Sequence, residues 1–311
     1  MKILVTGGSG FVGTALIEAL VKLDGVTIVA AYRDATISDI PNIEIVEIGD
    51  ISEYQKWESM LVGVDVVIHM AGRAHIMNDF AKDPLAEFRA INVQGTLKLA
   101  KQASEAGVKR FIFISSIKVN GESTSGRLPF KFNDLPSPKD PYGISKYEAE
   151  FGLKEICAEF GMEFVIIRPP LVYGFGVKAN FSAMMTLAKK NLPLPLGGIN
   201  NRRSLVALGN LVDLIKTCIV HKNASNQIFL VSDDDDISTS ELIKTMTRSY
   251  DKKPWLIPIP SNWIVSLGKI LGKKNMVDRL CGDLQVDIEH TKSTLEWKPK
   301  FCIEDVLSEL V

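Results

Sequence analysis

Lys2-Ile3-Leu4-Val5-Thr6-Gly7-Gly8-Ser9-Gly10-Phe11-Val12-Gly13 is the stretch whose reading decides the fold. A short β-branched run ends at Thr6, and an apolar-periodic helix follows the glycines to about Leu23. Gly7 permits a tight turn, Gly10 lets backbone approach a pyrophosphate, and Gly13 lets the helix pack close to the strand. The first amides of that helix then face phosphate oxygens. A strand, this turn and a helix at the start of the chain predict a dinucleotide-binding unit.

Residues 27–31 read as the second strand, ending at Tyr32-Arg33-Asp34, where a dinucleotide fold reads the adenosine ribose. Arg33 would pair with a 2′-phosphate and Asp34 would accept from ribose hydroxyls, so the sequence leans towards NADP and leaves NAD open. Residues 43–48 form a third strand, and Asp50-Ile51 stand where an adenine could be held. Residues 64–68 and 111–114 are continuous apolar runs, as in parallel strands covered on both faces. His69 reads as a packed strand-end residue beside the turn Met70-Ala71-Gly72-Arg73. Residues 84–106 read as one helical stretch. Asn92 within it is a poor interior helix residue, which suggests a buried hydrogen bond to that turn.

Tyr142 and Lys146 stand four apart, on one face of a predicted helix. An ammonium beside a phenol lowers its pKa, which suits proton exchange with a hydroxyl near neutral pH. Ser115 and Ser116 close a strand, where a serine near Tyr142 could hold a substrate oxygen. Further on, residues 192–198 are extended by their prolines. Arg202-Arg203 offer guanidinium forks suited to pyrophosphate. The acids at 233–236 read as a turn before a helix capped by Ser238 and Glu241, not as a metal site.

Composition narrows the classes. A formal net charge of -1 gives no electrostatic reason to expect nucleic acid or an anionic membrane as partner. The four cysteines fall in no close-spaced pair and read as reduced core residues of an intracellular protein. No apolar run reaches the ~18 residues of a membrane span. The first strand at Lys2 leaves no room for a signal peptide, so a cytoplasmic protein is expected. Residues 263–271 are amphipathic and could touch a membrane, but read first as a core-facing helix.

Gly7…Gly10…Gly13, Asp50-Ile51, His69-Met70-Ala71-Gly72, Asn92, Ser115-Ser116, Tyr142…Lys146 and Arg168-Pro169-Pro170…Tyr173-Gly174 occur in this order. With Arg202-Arg203 and Trp297-Lys298-Pro299, they make the chain resemble the extended short-chain dehydrogenase/reductase superfamily. The closest resemblance is to its nucleotide-sugar epimerase/dehydratase/reductase group. The resemblance implies a Rossmann-type doubly wound parallel sheet (1–172 with 205–232) and a smaller C-terminal α/β substrate domain (173–204 with 233–311). It implies catalysis by Ser116, Tyr142 and Lys146. Cofactor contacts would come from Gly7, Gly10, Phe11, Val12, Arg33, Asp50 and Ile51. Met70, Ala71, Gly72, Asn92, Ser115 and Pro169 would add more, with Tyr142 and Lys146. Ser116, Asn180, Arg203 and Arg279 would bind the sugar nucleotide.

Two positions depart from the pattern: Asn120 stands where a tyrosine is usual, and Leu171 where sugar epimerases commonly have asparagine. Ile117-Lys118 replace the Asp-Glu pair of dehydratases, and Lys118 is left either to meet a phosphate or to be solvated. The pieces at 117–121, 169–171 and 203–206 resemble reductases of UDP-4-keto-6-deoxy-N-acetylhexosamines. The expectation is therefore a UDP-sugar 4-ketoreductase of bacterial surface-polysaccharide sugar synthesis. The alternatives are a 4-epimerase of UDP-glucose or UDP-N-acetylglucosamine, and a non-catalytic dinucleotide sensor. The helices at 84–106 and 141–160 dimerise relatives, so a homodimer is expected.

Overall fold

The structure, a computed structural model, describes residues 1–33, 43–51, 56–74, 83–177 and 179–311, apart from the side chains at 179, 180 and 275. The first half alternates strand and helix: β1 (Lys2–Thr6), α1 (Phe11–Leu20), β2 (Thr27–Tyr32), β3 (Ile43–Glu47), α2 (Glu58–Leu61) and β4 (Val66–His69). Then come α3 (Pro84–Arg89), a π-helical turn (Ala90–Gly95), α4 (Thr96–Glu105), β5 (Arg110–Ile114), α5 (Pro141–Phe160) and β6 (Glu163–Arg168). The second half holds β7 (Leu171–Tyr173), α6 (Ala179–Lys190), β8 (Arg203–Ala207), α7 (Leu208–Val220), β9 (Gln227–Leu230) and β10 (Asp236–Ile237). It ends with α8 (Thr239–Arg248), α9 (Ser261–Ile270), α10 (Lys274–Cys281), α11 (Glu289–Leu295) and α12 (Ile303–Glu309).

Seven parallel strands form the main sheet in the order β3-β2-β1-β4-β5-β6-β9. Alternate residues of each strand feed opposite layers. Ile3, Val5, Ile68 and Ile112 join Leu16 of α1 and Leu214 of α7 in one core. Leu4, Val67, Phe111 and Phe113 join Leu99 of α4 and Leu153 of α5 in the other. Strands covered on both faces carry continuous apolar runs for this reason. The strand order reverses between β1 and β4, which opens a crevice beyond their carboxyl ends. Register brings Thr6, His69 and Phe113 level across three strands, so the turns after β1, β4 and β5 line one edge.

Three expectations change here. Residues 84–106 are not one α-helix: the π-helical turn interrupts them and carries Asn92. Residues 205–207 belong to β8, which pairs with β7 and β10 in a separate three-stranded sheet, so the boundary at 205 cuts a strand. The apolar arc of α9 faces solvent instead of a core. Of the cysteines, Cys157 and Cys218 are buried, Cys281 is partly buried and Cys302 is exposed.

Three of the four acids at 233–236 are engaged by hydrogen bonds. Asp233 accepts from Ala207 N, Asn210 Nδ2 and Tyr173 Oη at 2.7–2.8 Å, and Asp236 accepts from Ser204 and Gln285. Ser238 caps α8 through Glu241 N (3.0 Å), while the Glu241 carboxylate pairs with Lys244 and Arg248 instead of closing the box. Trp297 Nε1 and Lys300 Nζ both donate to Asp213 of α7, which fixes the closing segment against the main domain.

Candidate active site

The glycine turn is built by contacts that exclude side chains. Gly7 has φ +74°, and a Cβ there would lie 2.6 Å from Ala71 N, so the turns after β1 and β4 touch. A Cβ on Gly13 would lie 2.1 Å from Gly7 O, which closes the helix against the turn itself. Gly8, outside the Gly7–Gly10–Gly13 spacing, makes room for the Tyr32 ring: a Cβ would meet Tyr32 Cε1 at 2.4 Å. Gly10 is exposed and caps α1 without any side-chain hydrogen bond. The first amides of α1 are therefore available to an anion, and the cradle fits a dinucleotide pyrophosphate.

A relay of side chains holds the second turn. Ala71 N donates to Thr6 Oγ1 (3.3 Å), and Thr6 meets His69 Nδ1 at 2.7 Å. His69 Nε2 meets Thr96 Oγ1 at 2.8 Å, and Thr96 donates to Asn92 O. Because Thr96 spends its proton on that carbonyl, His69 carries its proton on Nε2 and accepts on Nδ1. Burial, reinforced by Lys146, pushes the imidazole down to about 3, so it stays neutral. His69 is thus the packed strand-end residue expected of it. Asn92 closes the circuit: Oδ1 accepts from Arg73 N (2.8 Å), and Nδ2 donates to Arg73 O and Ser145 Oγ (both 3.0 Å). The buried bond expected of Asn92 is present.

Asp140 caps α5, accepting from Gly143 N at 2.7 Å, and Pro141 follows at N1. That start places Tyr142 near Ser116, whose hydroxyl lowers the phenol's pKa. Backbone bonds from Ser115 N to Ile167 O and Ile117 N to Pro169 O pin Ser116 to the end of β6. Phe88 packs edge-on to the Tyr142 ring, at 6.0 Å between centroids.

The electrostatics correct the reading of the Tyr–Lys pair. Burial pushes the Tyr142 phenol up to about 12; Asp140 adds to the rise, and the Ser116 hydroxyl opposes it. Lys146 instead donates to Ile114 O at 2.9 Å, lies over the Phe113 ring, and approaches Gly72, where a Cβ would be 3.6 Å from Nζ. Its own pKa falls to about 8 through burial, with Glu150 pulling the other way. Lysine and tyrosine line the same edge, and the ammonium also reaches the Ile114 carbonyl, the Phe113 ring and the turn after β4.

Below them runs a buried network that the sequence did not disclose. Arg168 donates to both oxygens of Glu150 (2.9 and 2.6 Å) and to Asn120 Oδ1 (2.9 Å). Ser115 Oγ donates to Glu150. Asn120, in place of the usual tyrosine, serves this network and donates to Lys131 O. Lys118 is partly exposed and pairs with Asp140 and Glu122.

The remaining candidates are distributed as follows. Phe11 approaches Gly176, Ile51 packs under Gly95, Met70 is partly buried and Pro169 buried. Arg33, Asp50 and the half-exposed Leu171 lie at the surface. Asp34 and the Asn180 side chain fall outside the described residues. Arg203 and Arg279 come together: Arg203 donates to the carbonyls of Arg279 (2.9 Å) and Gly282 (3.0 Å). Burial lowers the Arg203 pKa, against the pull of Asp283.

A profile described as "NAD dependent epimerase/dehydratase family" matches residues 3–232, which contain both turns, Ser116, Tyr142 and Lys146. The chain belongs to that family. The chain is an enzyme of that family, which counts against the non-catalytic sensor. The chain is 50% identical over 306 residues to a UDP-glucose 4-epimerase of Vibrio cholerae, across 98% of this chain and 92% of the relative. It is 29% identical to an N-acetyl-α-D-glucosaminyl-diphospho-ditrans,octacis-undecaprenol 4-epimerase of Escherichia coli O157:H7, across 94% and 89%. The fold matches UDP-glucuronic acid 4-epimerase from Bacillus cereus in complex with NAD, with TM-score 0.78 and 20% identity, across 99% and 96%. The 50% identity favours the 4-epimerase alternative over the 4-ketoreductase, and nothing in these likenesses supports NADP over NAD.

Proposed function

We propose that the protein is an NAD-dependent UDP-hexose 4-epimerase, with UDP-glucose and UDP-galactose as its first candidate pair. The observation that carries the substrate class is the 50% identity along almost the whole chain to a UDP-glucose 4-epimerase. The pull of the Ser116 hydroxyl on the Tyr142 phenol, with Tyr142 held at the start of α5 by the Asp140 cap, supports the chemistry. The turn at Gly7, Gly10, Phe11 and Val12 would hold the pyrophosphate. Met70–Gly72 and Lys146 would hold the nicotinamide ribose, and Arg203 with Arg279 the sugar diphosphate.

Bound NAD supplies a hydride acceptor that can return the hydride to the same carbon. Tyr142 takes the proton of the C4 hydroxyl and later gives it back. Ser116 holds the C4 oxygen through both transfers, and the sugar turns its other face between them. General acid–base help of this kind contributes ~10²–10⁴ in rate. The test is to incubate the protein with UDP-galactose and catalytic NAD. Interconversion with UDP-glucose without net NADH supports the reading; stoichiometric consumption of NADPH by a 4-keto sugar nucleotide would return it to a reductase.

Two lesser readings have specific support. The E. coli relative and the solvent-facing apolar arc of α9 favour a sugar carried on a polyprenyl diphosphate as a second substrate class. Tyr147 and Phe151, exposed and four apart on α5, favour a homodimer through that helix.

A further inference from the structure

Trp263, Leu267, Ile270 and Leu271 fall on one side of α9 and its final turn, within an arc of about 100°. They are 71%, 57%, 82% and 61% exposed. The other side is the packed one: a Cβ on Gly268 would lie 2.4 Å from Val277 Cγ2 of α10. Met276, at the start of α10, adds another exposed apolar side chain. An apolar arc of this kind with a polar surround marks a contact surface.

The charge of the same stretch of chain selects the occupant. Between residues 251 and 276, Lys252, Lys253, Lys269, Lys273 and Lys274 stand against one acid, Asp251, in a chain whose net charge is -1. Lys274 pairs with Asp278 at 3.0 Å. Lys253, Lys269 and Lys273 form no ion pair among the described residues. A second copy seated here across a two-fold axis would set lysines against lysines. An anionic lipid surface satisfies both features. The indole and aliphatic groups enter the headgroup–acyl boundary, while lysine stems extend to lipid phosphates. No helix among the described residues is long and apolar enough to cross a membrane, so the contact lies in the plane.

We propose that α9 and the α9–α10 turn are an interfacial docking face for an anionic bilayer. Because α10 carries Arg279, whose carbonyl accepts from Arg203, docking sets the phosphate-side arginines near the lipid surface. The proposal stands whichever sugar carrier the enzyme uses.

The test is co-sedimentation of the whole protein with vesicles of phosphatidylcholine alone or mixed with phosphatidylglycerol. The wild type pellets with the anionic vesicles, about tenfold less with the neutral ones, and is released by high salt. Trp263→Ser/Ile270→Ser and Lys269→Glu/Lys273→Glu each reduce pelleting about tenfold. Their melting temperatures, measured without vesicles, stay at the wild-type value, which separates lost docking from lost folding and needs no substrate. Absence of wild-type pelleting with anionic vesicles overturns the proposal. So does undiminished pelleting of either variant, or a solution oligomer that the apolar variant dissociates while no form binds lipid.

Discussion

At Tyr142 opposing influences meet: burial and the Asp140 carboxylate raise the phenol, and the Ser116 hydroxyl lowers it. Removing that hydroxyl leaves only the raising influences. Ser116→Ala should therefore move the rising limb of the kcat–pH profile to higher pH, beyond any drop in its plateau. Tyr142→Phe should cut turnover by ~10²–10⁴, with the melting temperature unchanged, because the ring packing on Phe88 survives. Lys146 makes a separate prediction through linkage. Its folded pKa of about 8 lies below the ordinary 10.5, so between those values the unfolded chain binds the extra proton. Unfolding free energy must then rise with pH across that window, by about 3 kcal/mol in total. Lys146→Met should lack this rise. Urea titrations of both proteins at several pH values across the window measure the difference. The sequence placed Tyr142 and Lys146 on one helix face, but spacing on a helix says nothing of what else competes for an ammonium. The Ile114 carbonyl and the Phe113 ring do compete, and they come from another strand.

Helix α5 joins the reacting groups to the sheet. Its ends were legible in the chain: Asp140 caps, Pro141 occupies N1, and Gly161 stops it with φ +73°. Its underside was not. Glu150 and Arg168 stand eighteen apart, on a helix and a strand, and only the folded sheet brings them together. Glu150→Gln leaves a buried guanidinium facing an amide, and should cost roughly 3–5 kcal/mol in denaturant unfolding. Glu150→Gln/Arg168→Met should recover part of that loss, because no unpaired charge remains. The π-helical turn was hidden for a similar reason. Asn92 signalled a hydrogen bond, but a turn of this type arises from where that bond must reach, and Arg73 lies in a loop after another strand. Asn92→Ala would leave Arg73 N–H without its acceptor and should cost about 1–3 kcal/mol. The same change should weaken NAD binding, measurable by titration calorimetry, if the turn after β4 holds the nicotinamide ribose.

Across the whole molecule, the doubly wound parallel sheet was legible because buried apolar runs alternate with helices and each ends at a turn. What periodicity leaves undetermined is the partner of an apolar face, and two helices show this. On α9 the amphipathic pattern was plain, yet the face lies open to solvent. On α5 Phe151 is 55% exposed and Tyr147 stands one turn before it. Next to them Gly152 lets Leu97 of α4 approach, since a Cβ there would meet Leu97 at 2.7 Å, so the two helices present a close-packed common surface. A second copy can cover that surface by two-fold symmetry, with α5 against α5 and like positions meeting. Phe151→Glu would then bury two carboxylates side by side, a repulsion that packing alone does not offset. Sedimentation equilibrium should show a dimer for the wild type and a monomer for Phe151→Glu. Phe151→Leu, which keeps the apolar contact, should remain dimeric. A wild type that sediments as a monomer at micromolar concentration would leave α5 without this partner.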